Sequence, residues 1–413
     1  MKFGSLYETT LVSSGHRHVL TRILAATGAT ALAAGLIMAF SAPPSSGSSA
    51  SGQGSSLVPS PANRPALIAS TGRGITARVQ PGVVIIDTRL RYDNEVAAGT
   101  GMVINPGGLV LTNNHVIEDA TSITATVAGK TYPARVVGYD KTDDIALLQL
   151  QGAARLPTVP VGNSSQVKVG QMVVALGNAG GRAVVAVSQG KVAKLNLIVT
   201  ASDQVGSTSS ETLHGMMQAN ATLEAGDSGG PLSSTNGVIG MDTAANNSGR
   251  QQAAGFAIPI NTALSIAGQI AAGKASSDIS IGYPPFMGTF VATGSNPNPV
   301  DQTWQERSQG TAPSSPALSC YTSNTSLTPP ATIAPASSGV LVRGVICGSP
   351  AARAGMTAGA VITAVSGQPV RSPDDLMRVM ARFRPGDMIF VRWTNPAGQQ
   401  ATSRIRLTEG PPQ

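Results

Sequence analysis

The sequence predicts a mainly β protein in two folded parts: a barrel or sandwich unit from about 72 to 274, and a smaller α+β unit from about 279 to 410. Three features carry this. At 413 residues the chain exceeds one ordinary core. Short apolar runs such as GVVIIDTR, TGMVI, LVLT, IALLQL, MVVALG and GFAIPI recur between Gly, Asn and Pro, which is the pattern of many strands joined by turns. Beyond residue 338 the pattern changes, and the runs GVLVRGVI, AVITAVSG, MIFVRWT and ATSRIRLT alternate with helical stretches.

The elements follow in order. Arg17 and Arg22 precede the apolar run Ile23 to Phe40, so residues 1–41 read as an export signal or, if retained, an N-terminal membrane anchor. The rest of the chain is then expected outside the cytoplasm. Residues 42–71 form a Ser/Pro/Gly tract too polar to bury a core, a disordered linker. Asn105-Pro106-Gly107-Gly108 marks a tight turn closing a hairpin that ends at Thr112. The β unit is expected to close with a helix from Asn261 to Lys274, with Asn261 as N-cap and Ala263, Ile266, Ala267 and Ile270 on one face. In the second unit a low-complexity insert spans about 295–338. Ser372-Pro373-Asp374-Asp375 then starts a helix carrying Leu376, Val379, Met380 and Phe383, and Pro385-Gly386 stops it.

Composition removes several classes of function. The net charge of +7 is spread thinly, and no Lys/Arg cluster alternates with aromatics, so no nucleic acid partner is expected. GQIAAGKA, residues 268–275, falls short of a phosphate loop: it ends a helix, and Ala275 stands where Ser or Thr would hold magnesium. Cys320 and Cys347 lack metal-ligand spacing. In an oxidising compartment a disulfide is their expected use, with two free thiols as the alternative. The sequence implies no metal and no cofactor.

The stretch AGDSGGPL, residues 225–232, sets one hydroxyl among glycines. A serine nucleophile needs a base and an acid that orients the base. Of four histidines, His16 and His18 precede the export segment, which leaves His115 and His214. His115, in LTNNHVIED, comes just after the strand-like LVLT, past two asparagines, where a side chain emerges beside a cleft, whereas His214 reads as an ordinary loop or strand residue. Asp144, directly before IALLQL, is preferred as the acid over Asp143, with Asp140 third. GDSGG also fits the G-x-S-x-G elbow of α/β-hydrolases, but that fold requires its histidine after the serine, and none follows Ser228. The order His115, Asp144, Ser228 is instead that of chymotrypsin-like enzymes. Glycines around Ser228 let the amides of Gly226 and Ser228 turn toward a developing oxyanion.

The blocks GTGMVI, LTNNHVI, DDIALLQL, GDSGGPL, GMDTA and GFAIPI, in order, and the later GSPAARAGMTAGAVITAVSGQPV resemble the HtrA-type serine proteases, most of all their exported actinobacterial branch. The resemblance implies a chymotrypsin-like double β-barrel protease domain followed by a PDZ-like α+β domain. It makes His115 the base, Asp144 its orienter, Ser228 the nucleophile, and Gly226, Asp227 and Ser228 the oxyanion loop. By position Thr222, Leu223 and Met241 would line the primary pocket, with no acid at its base, which favours small or medium apolar side chains. Phe286, Met287, Gly288 and Thr289 would hold a peptide carboxylate. Two departures stand out: Asp227 replaces the Asn of most members, and the insert with Cys320 enlarges the PDZ-like unit. The implied function is an exported endopeptidase that cleaves unfolded or damaged proteins through an acyl-enzyme. Its PDZ unit would bind C-terminal peptides or regulate the site, and since the family commonly forms trimers, the resemblance also implies a homotrimer. The rival is a protease-fold binding or holdase protein with a collapsed oxyanion loop.

Overall fold

The computed structural model describes residues 64–90, 92, 95–202, 210–243, 254–292, 294–299, 320–322, 327 and 330–412. The export segment and most of the linker lie outside the described residues. Among the described residues no helix is long and apolar enough to cross a membrane.

Two closed barrels form the first unit. The first contains β1 (Val83–Leu90), β2 (Glu95–Asn105), β3 (Leu109–Thr112), β4 (Ser122–Val127), β5 (Lys130–Asp140) and β6 (Ile145–Leu150). Its order is β5-β4-β1-β2-β3-β6, and β6 pairs back onto β5 to close it. The second contains β7 (Met172–Gly177), β8 (Ala186–Ser202), β9 (Ser210–Thr222), β10 (Pro231–Ser234), β11 (Gly237–Thr243) and β12 (Ala254–Pro259), closed in the order β10-β11-β12-β9-β8-β7. Closure removes the exposed strand edges that such short strands would otherwise present. Val84, Ile86, Val110 and Leu148 fill the first barrel, and Val173, Met217, Leu232 and Ile239 the second. A third cluster, including Val83, Met102, Leu111, Val174, Leu176 and Met241, joins the two. The hairpin turn falls between β2 and β3, where Asn105 O accepts from Gly108 N (3.0 Å) and its side-chain oxygen from Gly107 N (2.7 Å).

Three expectations need correction here. A helix α1, Arg64–Val79, occupies the end of the expected linker and the start of the β unit. Gly72 and Gly74 weaken its sequence signal, but Ile75 and Val79, one helical turn apart, are buried in the core between the barrels. The closing helix α2 runs Ile260–Ala271, with Pro259 rather than Asn261 at its N-cap. The Asn261 side chain is drawn away, donating to Asn163 Oδ1 (2.8 Å) and accepting from Ser164 N (3.2 Å). The third concerns the insert, taken up below.

After β13 (Ile279–Ile281), which adds to β5, the second unit contains β14 (Pro285–Phe286), β15 (Thr289–Val291), β16 (Val340–Val345), α3 (Pro350–Arg353), β17 (Val361–Val365), β18 (Gln368–Pro369), α4 (Pro373–Met380), β19 (Met388–Thr394), β20 (Gln400–Arg406) and β21 (Thr408–Glu409). One sheet runs β15-β16-β17-β19-β20, with β18 on β17, and β14 pairs β21. Ser372 caps α4 by accepting from Asp375 N (3.3 Å), and Leu376 and Val379 turn into the core. The insert is not wholly outside this packing. Tyr321 is buried and exchanges hydrogen bonds with Val345 O (2.8 Å) and Cys347 N (2.9 Å), while Ala334 packs on Leu341 and Val361. Cys320 is joined to Cys347, Cα–Cα 4.9 Å.

Candidate active site

The chain leaves β3 and turns sharply at Asn114, whose carbonyl accepts from Ile117 N (2.9 Å) and Glu118 N (3.0 Å), which lifts His115 out of the strand. Asp144 ends the turn before β6 with φ +53, a left-handed conformation that Asp tolerates better than most residues. The two side chains meet: His115 Nδ1 lies 2.9 Å from Asp144 Oδ2 and 3.1 Å from Oδ1. The carboxylate also accepts from His115 N (3.0 Å) and from Thr243 Oγ1 on β11 (3.3 Å), so it is held from both barrels. Asn113 Nδ2 donates to Asp144 O at 3.0 Å. Asp144 is 2% exposed and His115 23%. An imidazole with Nδ1 engaged by a buried carboxylate presents Nε2 on its other side.

The other candidates are placed differently. Asp143 is partly exposed and donates its amide to Asp140 Oδ1 (3.1 Å). Asp140 is buried, which raises its pKa. His214 is exposed on β9.

Ser228 is 6% exposed, and a network through Thr100 ties it to the strand that delivers His115. Thr100 N donates to Ser228 O (2.8 Å), and Thr112 Oγ1, at the end of β3, donates to Thr100 O (2.6 Å). The Thr100 hydroxyl donates to Gly226 O (2.6 Å) and accepts from Asn178 N (2.9 Å). Ala225 O accepts from Gly180 N (2.7 Å), and in a trans peptide this sends the Gly226 N–H to the opposite side. Gly226 (φ +99) and Gly229 (φ +85) permit this packing: a Cβ on Gly226 would lie 2.3 Å from Asn178 O, and one on Gly229 2.1 Å from Thr100 O.

Asp227, within this loop, is 5% exposed, with Oδ2 accepting from Glu224 N (2.8 Å) and Oδ1 without a partner. Burial raises its pKa, against the pull of the Glu224 amide. Asp242 on β11 is 1% exposed and neither of its carboxylate oxygens has a partner. Burial, reinforced by Asp227, raises its pKa well above the ordinary carboxylate range.

A cavity of about 220 Å³ beside the loop is lined by Gly177, Ala179, Ser188, Thr222, Glu224 and Asp227 among others. Leu223 and Met241 do not reach this cavity: both are buried in hydrophobic clusters, Met241 completely. Glu224 and Asp227 are the acids in its lining.

In the second unit Met287 O accepts from Ala351 N (2.8 Å) and Gly288 O from Ile346 N (2.9 Å). Thr289 opens β15 opposite Val345, and Phe286 stacks on Tyr92 of the first barrel, ring centroids 5.7 Å apart.

Sequence reasoning did not single out Thr100, Asn178 or Asp242. For Thr100 a signal existed: a hydroxyl between two glycines within an apolar strand is seldom placed there for packing.

Fold and site define a trypsin-like peptidase unit with a second, PDZ-type unit behind it. Residues 99–241 match the family described as trypsin-like peptidase domain, and residues 341–385 the PDZ domain. Relatives include the serine protease PepD of Mycobacterium tuberculosis, 29% identical over 354 residues, covering 81% of this chain and 65% of PepD. The putative serine protease HhoA of Synechocystis is 33% identical over 291 residues, covering 68% of this chain and 63% of HhoA. A probable periplasmic serine endoprotease, DegP-like, of Chlamydia trachomatis is 30% identical, covering 72% of this chain and 51% of that protein. The chain thus spans less than two thirds of the length of these relatives. Among solved structures it is similar to an HtrA-type protease, AlgW with tripeptide, at 26% identity and a TM-score of 0.42, covering 83% of this chain and 98% of that one. The chain thus carries a trypsin-like peptidase match followed by a PDZ match, and the relatives it resembles are named as serine proteases.

Proposed function

We propose that this chain is an exported serine endopeptidase acting on unfolded or damaged proteins, with Ser228 as nucleophile, His115 as general base and Asp144 as its orienter. In this reading His115 Nε2 takes the Ser228 proton as Oγ attacks the scissile carbonyl. The imidazolium is stabilised by the buried Asp144 carboxylate, and the proton passes to the leaving amine. The amides of Gly226 and Ser228, in the loop that includes Asp227, receive the oxyanion. Water then hydrolyses the acyl-enzyme through the same base.

The observation that carries the reading is the His115–Asp144 pair at 2.9 Å, closed by Thr243 of the other barrel. The resemblance to exported relatives supports a location outside the cytoplasm, and the PDZ unit supports capture of C-terminal peptides at Phe286–Thr289. A homotrimer and an amino-terminal anchor extend the same reading. Casein hydrolysis by the purified chain, lost in Ser228→Ala, is the expected result; equal hydrolysis by the variant overturns it.

The second reading is a peptide-capturing protein with a collapsed loop. The bond from Gly180 N to Ala225 O weighs against it, because it holds the Gly226 amide outward.

A further inference from the structure

The outer face of the PDZ-type sheet carries apolar and basic side chains that the candidate site does not use. Along β19 burial alternates, so Ile389, Val391 and Trp393 join the core of the unit while Met388, Phe390 and Arg392 face outward. The antiparallel register sets Met388 opposite Arg406, Phe390 opposite Arg404, and Arg392 between Thr402 of β20 and Ala364 of β17. Opposite residues share a face, so one surface presents Met388 at 41% exposure and Phe390 at 56%, with three exposed arginines beside them. A groove of about 240 Å³ next to Arg392 is lined by Thr363, Gly367, Pro369, Phe390 and Thr402 among others. Strands β17, β19 and β20 contain no Asp or Glu. Among the described residues the three arginines form no ion pair. The acids nearest in sequence are engaged elsewhere: Asp387 accepts from Arg384 N (2.7 Å), and Glu409 pairs with Arg135 of the first barrel.

A basic surface complements an anion, and the two exposed apolar side chains decide which kind. A hydrated polyanion would meet the guanidinium groups and leave Met388 and Phe390 in water. A bilayer takes both: the apolar side chains enter the boundary between headgroups and acyl chains, and the long arginine stems carry their charge back to the headgroups. The run Ile23 to Phe40, read from the sequence as an export signal or anchor, brings the chain to a membrane in either case. We propose that this face docks on an anionic lipid bilayer, with Met388 and Phe390 at the acyl boundary, Arg404 and Arg406 on lipid phosphates, and one headgroup in the groove beside Arg392. The sheet runs β15-β16-β17-β19-β20, so this face lies at the far end from Phe286–Thr289, and peptide capture there uses different strands. The docking surface does not depend on the protease reading.

The test uses the full chain with Phe390→Trp and vesicles whose acyl chains carry bromine, which quenches an indole at the acyl boundary. The chain without this substitution supplies the background of the native tryptophans, of which Trp393 is buried in the core. Equimolar phosphatidylglycerol and phosphatidylcholine vesicles are expected to quench the added tryptophan, and phosphatidylcholine alone to leave it bright. Each arginine at an anionic surface is worth about fivefold in binding, so Arg392→Gln, Arg404→Gln and Arg406→Gln together should demand about 100-fold more lipid for half-quenching. Arg392→Lys, Arg404→Lys and Arg406→Lys keep the charge and should keep the quenching, which separates lost charge from a lost fold. No quenching by the anionic vesicles, equal quenching by the neutral ones, or unchanged quenching in the glutamine variant overturns the proposal. A lipid-free blue shift produced by an oligonucleotide, by polyglutamate or by rising protein concentration, with no quenching by vesicles, also overturns it and assigns the face to a polyanion or a second copy. A chain that no phosphonate labels at Ser228 but whose added tryptophan is quenched refutes the protease reading and leaves the docking surface standing.

Discussion

Replacing Thr100 by Val keeps the size of a fully buried side chain and removes only its hydroxyl. That hydroxyl donates to Gly226 O at 2.6 Å and accepts from Asn178 N at 2.9 Å, so two backbone groups lose their partner at once. A buried polar group left unpaired costs about 1–3 kcal/mol, which gives a loss of about 2–6 kcal/mol. In a unit of this size that lowers Tm by on the order of 10 °C. The loop also loses the contact that holds Gly226, and loss of one oxyanion donor slows acyl transfer by about 100-fold to 1000-fold. Thermal unfolding and phosphonate labelling of Ser228 are the assays, with Thr100→Ser as the control that restores the hydroxyl. If Thr100→Val matches the wild type in both, the hydroxyl does not hold the loop and the reasoning fails.

Other expectations follow from the same geometry. Gly226→Ala places a Cβ 2.3 Å from Asn178 O on a backbone at φ +99, so labelling of Ser228 should fall more than 100-fold while secondary structure by circular dichroism is unchanged. Cys347→Ser opens a bridge with a sequence separation of 27, and the PDZ-type unit should lose about 3–4 kcal/mol in urea unfolding. Burial raises the pKa of Asp242 in the folded chain, so the folded state binds the extra proton. Stability should therefore fall as pH rises from the ordinary carboxylate range through the raised value, and level off beyond it. Asp242→Asn removes that slope. It should exceed the wild type by about 1–3 kcal/mol at neutral pH and equal it below the ordinary carboxylate range.

Much of the fold could be read where local chemistry and tertiary packing agree. The Asn105–Gly108 turn and the Ser372-capped helix are set by their own side chains, and the structure shows both. The candidate site was legible for a related reason: a serine among glycines, one usable histidine after a strand and one acid before another leave few combinations. What escaped depends on partners distant in sequence. Helix α1 contains two glycines and is held by Ile75 and Val79 against strands that come later. Asn261 could have capped its helix, but Asn163 and Ser164, about 97 positions earlier, claim its side chain. Tyr321, within a low-complexity stretch, is buried because β16 offers it a backbone partner. Met241 reads as pocket-lining by position, yet the closed barrel turns it fully into the core between the barrels. Thr100 matters only once the second barrel brings Gly226 and Asn178 to it, and Asp242 only once its own barrel closes around it, and no spacing within one strand reveals that.

The central claim is that Ser228 is an activated nucleophile served by His115 and Asp144. Mass spectrometry of the full chain after exposure to a serine-reactive phosphonate tests it most directly. The account predicts one adduct, mapped to the Ser228 peptide, formed at least 100-fold more slowly in His115→Ala. An adduct at another residue, or one that forms as fast without the imidazole, would contradict it.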